Sequence, residues 1–238
     1  MIRLDSFICH ETMLTRKQAK IAIRSGRVQI GNRIIREADS KIDETTDEVF
    51  LDGNQLFYTK NRYYYMDKPI GYITATEDKM EKTVLELFPA EIRQFGIFPV
   101  GRLDKDTSGL LLFTNDGDFA HKIISPHSQV PKRYIAQLSR TLSQEDIASF
   151  EKGIQLSDGT QCKPAILNIV SENTGEVTLC EGKYHQVRRM FAATGNSVVT
   201  LRRVAIGKLN LSDELGPGGF REIPYNHLCT LFNDSSSE

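Results

Sequence analysis

The chain has 238 residues, 39% apolar and 26% charged, enough for one large core or two modest ones, which excludes a disordered or fibrous protein. Thirty Lys and Arg against thirty-one Asp and Glu give a net charge of −1, so any pull on nucleic acid has to come from local patches. The apolar run from Leu110 to Phe113 is far too short to span a bilayer, and the N-terminal MIRLDSFICHE has Arg3 and Asp5 with no apolar run behind them. Cys9, Cys162, Cys180 and Cys229 lie singly, without a CxxC pair, as reduced thiols do. The expectation is a cytoplasmic protein with no membrane partner.

The first 52 residues are basic, then acidic. Met1 to Arg36 holds eight bases and two acids, net +6, and Asp39 to Asp52 holds one base and six acids, net −5. Thr15 followed by Gln18 is a capping-box pair and Gly26 a stop, so a helix is predicted over Arg16 to Ser25. Val28–Ile30 and Arg33–Ile35 flank Gly31-Asn32, which predicts a hairpin. On the helix Arg16, Lys20 and Arg24 recur every fourth residue and Arg27 follows its end, a stripe that suits a phosphate backbone. Most such stripes are solvated faces, but coupling to the basic hairpin residues Arg33 and Arg36 favours RNA. The segment RLDSFICHETMLTRKQAKIAIRSGRVQIGNRII resembles the alpha-L RNA-binding domain, the type named after ribosomal protein S-four. That resemblance implies RNA contacts at Arg16, Lys17, Lys20, Arg24 and Arg27.

The polar stretch Asp52 to Arg62, with its DGN, marks a linker. The organisation expected is a small RNA-binding domain at 1–55, a linker at 56–62, a catalytic domain at 63–232 and a disordered tail at 233–238. Within the large segment, strands are predicted at 63–66, 71–76, 98–103, 110–114, 134–138 and 198–204, and helices at 83–88, 119–124, 143–152 and 185–194. Without regular strand–helix alternation, the pattern is α+β and not doubly wound.

The stretch GRLDKDTSGLLLFTNDG, Gly101 to Gly117, ends a strand in a polar turn that carries Asp104 and Asp106. A carboxylate at a strand end can be held rigidly in a cleft, as a nucleophile or acid/base group must be. Asp106, followed by TSG, reads as a turn former. A calcium loop would place Asp104, Asp106 and Ser108 as ligands, but its twelfth position is Asn115 where a Glu is needed, so no metal is expected. Gly182 to Leu211 carries six bases and no acid, net +6. At its heart, EGKYHQVRRMFAATGN sets Tyr184 and His185 beside Arg188 and Arg189, a combination suited to an unstacked base. His10, His121, His127 and His227 are read as surface or packing residues.

Taken together, Lys68-Pro69-Ile70-Gly71, GRLDKDTSGLLLFTNDG, PKRYIAQL around Tyr134 and EGKYHQVRRMF resemble, in family order, the RsuA branch of the pseudouridine synthases. The likeness spans essentially the whole chain. It implies a mixed, mainly antiparallel sheet with a central RNA-binding cleft, preceded by the small RNA-binding domain. It implies an isomerase acting on a uridine in rRNA, with no cofactor, because one bond is broken and one remade with no net oxidation.

By that resemblance the essential aspartate is Asp104, Tyr134 stacks on the target base, and Arg188 pairs with Asp104. The RNA-binding set is completed by Arg102, Lys183, Tyr184, His185, Arg189, Arg202 and Arg203. Asp67 departs from the usual Asn before Lys-Pro, and Pro131 from an acidic residue. Tyr184-His185 is similar to small-subunit enzymes, where large-subunit relatives carry Asn-Arg, so 16S rRNA in an assembling small subunit is the expected partner. The alternatives are 23S rRNA or a non-catalytic assembly factor. A monomer is expected.

Overall fold

The computed structural model describes residues 1–12, 14–125 and 127–232, so the tail at 233–238 lies outside the described residues. Two compact units emerge: Met1–Asn61 joined by Pro89–Gly96, and Arg62–Phe88 joined by the chain from Ile97 onward.

The first unit contains β1 (Ile2–Arg3), α1 (Leu4–Glu11), α2 (Arg16–Arg24), β2 (Val28–Ile30), β3 (Arg33–Ile34), β4 (Lys41–Ile42), β5 (Val49–Leu51), β6 (Asn54–Leu56) and, from later in the chain, α3 (Ala90–Arg93). The capping box forms as predicted: the Gln18 N–H donates to Thr15 Oγ1, and the Thr15 N–H donates to Gln18 Oε1. α2 turns Ala19 and Ile23 into a core with Leu4, Phe7, Ile8, Val28, Ile42 and Val49, leaving Arg16, Lys17 and Arg24 exposed. α1 has no side-chain cap to announce it in the sequence; burial of Leu4, Phe7 and Ile8, at helical spacing, sustains it instead. The sheet order is β3-β2-β5-β6, with every pairing antiparallel. Asp52 and Gly53, expected to open a linker, close the β5–β6 hairpin at φ of 52° and 80°, as a two-residue turn requires.

The second unit contains β7 (Tyr63–Lys68), β8 (Phe98–Val100), β9 (Thr107–Thr114), α4 (Gly117–Ile124), β10 (Lys132–Leu138), α5 (Gln144–Lys152), β11 (Ile166–Ser171), β12 (Thr174–Leu179), α6 (Gln186–Ala193), β13 (Val198–Ile206), β14 (Leu209–Asn210), β15 (Phe220–Glu222) and α7 (Tyr225–Phe232). Nine strands form one sheet along β11-β12-β10-β13-β9-β7-β15, with β14 on β13 and β8 on β9. Every pairing is antiparallel except β13 with β9, which is parallel, so the sheet is mixed and mainly antiparallel. β9 is the hub because Leu110 to Phe113 are all buried, and a run apolar on both faces belongs in a sheet centre. Each such side chain contributes about 1.5–3 kcal/mol by its burial.

Four local expectations change. Residues 71–76 form no strand: Ile73 makes only a bridge to Thr83, and Thr74 Oγ1 takes over main-chain groups by donating to Leu103 O and accepting from Leu103 N. The strand predicted over 98–103 stops at Val100, where Gly101 turns to φ 77°. The helix predicted at 83–88 is one 3-10 turn, Val84–Leu87. β11 escaped prediction because Ile166, Ile169 and Val170 are exposed on it, which blurs the alternation that marks a half-buried strand; β12 does alternate, but Gly175 puts no side chain at one of its three buried positions.

Candidate active site

The loop between β8 and β9, Gly101 to Asp106, is fixed through its main chain. Lys68, wholly buried at the end of β7, donates from Nζ to the carbonyl oxygens of Pro69 (3.0 Å), Asp104 (3.1 Å) and Thr107 (2.9 Å). Burial pushes its ammonium down to about 8, opposed by the charges of Asp104 and Asp106. The Gly71 N–H donates to the Lys105 carbonyl at 2.7 Å, and the Thr107 N–H to the Asp104 carbonyl at 3.1 Å. The Lys68–Gly71 motif therefore acts as a clamp on the loop that carries Asp104.

Beside this loop lies a cavity of about 1160 Å³, lined among others by Asp104, Tyr134, His185, Lys132 and Arg203. Its size matches or exceeds the roughly 300–1,000 Å³ of pockets that enclose small ligands. The Asp104 side chain is 29% exposed, and His185 Nε2 stands 3.4 Å from its Oδ1. His185 caps the N-terminus of α6 in the left-handed region, at φ 47°, and its ring stacks on Tyr184 with centroids 3.9 Å apart. Tyr184 itself is 76% exposed. Tyr134 is buried on β10, directly opposite Arg203 of β13.

Asp104, Tyr134 and His185 thus share one cavity, but the expected Arg188–Asp104 pair is not there. Arg188 donates from Nη2 to the Asp106 carbonyl at 3.2 Å, pairs with the Asp106 carboxylate at 2.9 Å and donates from Nη1 to Val198 O at 3.2 Å. The reason is local: the turn to the left-handed region at His185 brings that ring to Asp104, and Arg188, three residues on, reaches the far end of the loop. Asp106, read as a plain turn former, is therefore also an anchor for Arg188.

Several cations of the RNA-binding set have protein partners. Arg202 is held by Asp67 through two hydrogen bonds of 3.0 and 2.8 Å, and Asp67 is buried, so Arg202 satisfies an internal carboxylate. Arg203 is buried at the cavity wall and is not a surface contact. Lys183 pairs with Glu181, Arg189 with Asp158 and Arg27 with Asp52, while Lys20 lies 3.9 Å from Asp5. Arg16, Lys17, Arg24, Arg102 and Tyr184 stay exposed.

The RNA pseudouridylate synthase family model matches residues 62–193, and these contain the clamp, the Asp104 loop, Tyr134 and the His185–Arg188 turn. The chain belongs to this family. The synthase is 39% identical over 234 residues to an uncharacterized RNA pseudouridine synthase, YtzG, of Bacillus subtilis strain 168, covering 97% of this chain and 98% of that one. It is 38% identical over 232 residues to ribosomal small subunit pseudouridine synthase A of Escherichia coli K12, covering 97% and 100%. A crystal structure of a pseudouridylate synthase, 35% identical, superposes with a TM-score of 0.68 over 97% of this chain and 100% of that one. The synthase is thus an isomerase that makes pseudouridine in RNA, on the mixed sheet its sequence implies.

Sequence reasoning left three residues of this site without a role. Lys68 stands inside the Lys-Pro-Ile-Gly motif, yet a lysine gives no sign in sequence that it will be buried. Thr74 falls in a predicted strand. Lys132, two residues before Tyr134, lines the same cavity, and the period of two along a strand was the available signal.

Proposed function

We propose that the protein isomerises one uridine of 16S rRNA in the small ribosomal subunit, with Asp104 as the acting carboxylate. The observation that carries this reading is the convergence of Asp104 and Tyr134 on one cavity, on a loop held by Lys68. The likeness to a relative named for the small subunit supports the 16S target. The uridine is turned out of its stack, at a cost of a few kcal/mol, and enters the cavity. The Tyr134 ring holds the base while the C1′–N1 bond opens. The Asp104 carboxylate meets the electron-poor C1′ that results, and the base turns so that C5 replaces N1. Arg188 acts through Asp106, as a positioning residue for the loop. The exposed Arg16, Lys17, Arg24 and Arg102 supply phosphate contacts, with Tyr184 as a surface on which a neighbouring base stacks.

The test is carbodiimide-dependent mapping of pseudouridine on unmodified small-subunit particles treated with wild type or Asp104→Asn. One new reverse-transcription stop in 16S rRNA with wild type alone is expected. A stop in 23S rRNA instead would overturn the target, and near-wild-type turnover by Asp104→Asn would overturn the residue.

A further inference from the structure

The cavity wall carries positive charge that the proposed chemistry has not used. Of the cations lining it, Lys105 is paired with Glu81 and Lys183 with Glu181. Lys132 and Arg203 are not so paired. Lys132 Nζ donates to Val130 O at 3.0 Å and Arg203 Nε to Leu110 O at 2.7 Å; among the described residues neither has a carboxylate partner. Arg203 is only 3% exposed, and its Nη2 has no hydrogen-bond partner. Burial, and then the Arg203 charge, hold the Lys132 ammonium below its ordinary value. A buried guanidinium with a half-buried ammonium beside it and no anion is costly to the fold, a cost that a bound anion relieves.

The register shows what shape of anion fits. Tyr134 lies directly across from Arg203, and Lys132 precedes Tyr134 by two residues, on the same face of β10. An aromatic ring flanked by a buried guanidinium and a half-buried ammonium suits a planar anion with spread charge; a hydrated phosphate is met more cheaply by the exposed Arg102.

We propose that Arg203, with Lys132 beside it, stabilises the uracil anion released when the C1′–N1 bond opens. This rests on the reading of Asp104 as the acting carboxylate. Both electrons of the broken bond leave on the base and spread over O2 and O4, while Asp104 answers the positive C1′. C5 then supplies the pair that forms the C1′–C5 bond, C5 loses its proton and N1 gains one, so nothing is oxidised or reduced.

The experiment is single-turnover reaction, at saturating enzyme, of small-subunit particles whose 16S rRNA contains uridine or 5-fluorouridine, read by nuclease digestion and chromatography with mass spectrometry as loss of the unreacted target fragment, because C5 of 5-fluorouridine carries fluorine in place of the proton that leaves last. With uridine, Arg203→Gln is expected to slow conversion on the order of 10²-fold. With 5-fluorouridine, whose base is the more acidic leaving group, the loss should shrink severalfold, and Arg203→Lys should recover part of the uridine rate. An equal loss on both substrates would mean a structural role and overturn the proposal. So would weaker RNA binding with an unchanged rate at saturation, the mark of a phosphate contact. If Arg203→Gln does not fold, Lys132→Met carries the same comparison: a loss that shrinks on 5-fluorouridine supports the proposal, and an equal loss overturns it. Failure of the wild type on uridine would overturn the 16S reading on which the assay stands, whereas wild-type conversion with equal losses overturns the leaving-group role alone.

Discussion

Lys68 Nζ donates to the main-chain carbonyl of Asp104 at 3.1 Å, so a wholly buried cation sets where the acting carboxylate stands. The same ammonium also holds the carbonyls of Pro69 and Thr107 and thereby closes both ends of the turn. Lys68→Met would take a donor from three carbonyls, of which that of Asp104 keeps the Thr107 N–H, each one left unpaired costing about 1–3 kcal/mol, while sparing the cost of burying a charge. A net loss of about 3 kcal/mol is expected in urea unfolding, with pseudouridine formation lost even where the variant remains folded. An unchanged midpoint and rate would show that the clamp is dispensable.

The same residue gives a pH dependence. Burial lowers the Lys68 ammonium from the ordinary 10.5 to about 8. Between those values the unfolded chain keeps a proton that the folded one has released, so the stability contributed by Lys68 rises with pH across this window. The clamp, however, loses a donor as pH passes about 8. The single-turnover rate should therefore fall above about pH 8 without a matching fall in stability from this group. A rate that stays level to pH 10 would count against the clamp.

Gly109 sits at the parallel junction of β9 and β13, paired with Arg203 at φ 106°. A Cβ there would overlap the Arg203 carbonyl oxygen and backbone nitrogen, and main chain in a central strand cannot yield as a flexible side chain would. Gly109→Ala is expected to cost more than about 3 kcal/mol, through clash and left-handed strain together. Calorimetric melting checks this; a melting temperature within a degree or two of wild type would contradict it.

Arg202 should behave as a structural residue. Its removal leaves the buried Asp67 carboxylate without its two charge-assisted hydrogen bonds, which costs about 1–3 kcal/mol because the Arg202 side is open to solvent, whereas an exposed phosphate contact such as Lys17 costs little stability. Arg202→Ala should lower the melting temperature and leave the salt dependence of RNA binding unaltered. Lys17→Ala should leave melting unaltered and reduce the salt slope by about one. The reverse pattern would return Arg202 to the RNA interface.

Much was legible in the sequence because it depends on neighbours along the chain. The capping box Thr15–Gln18, the hairpin at Gly31-Asn32, the central apolar run Leu110–Phe113 and the Asp104 turn all declare themselves within a few residues, since caps, turns and periodicity are short-range physics. The four motifs in order carried the family. The sequence alone could not show which charges are spent inside the protein. Arg202 and Arg203 are adjacent and identical in type; one side chain answers a buried aspartate 135 positions away, and the other lines the cavity across from Tyr134. Likewise Arg188 faces Asp106 and His185 faces Asp104, because one left-handed residue at the start of α6 turns the imidazole inward. Whether a cation meets solvent, a carboxylate or a substrate depends on which face of a strand lies against which neighbour, and only the pairing of β9, β10 and β13 decides that.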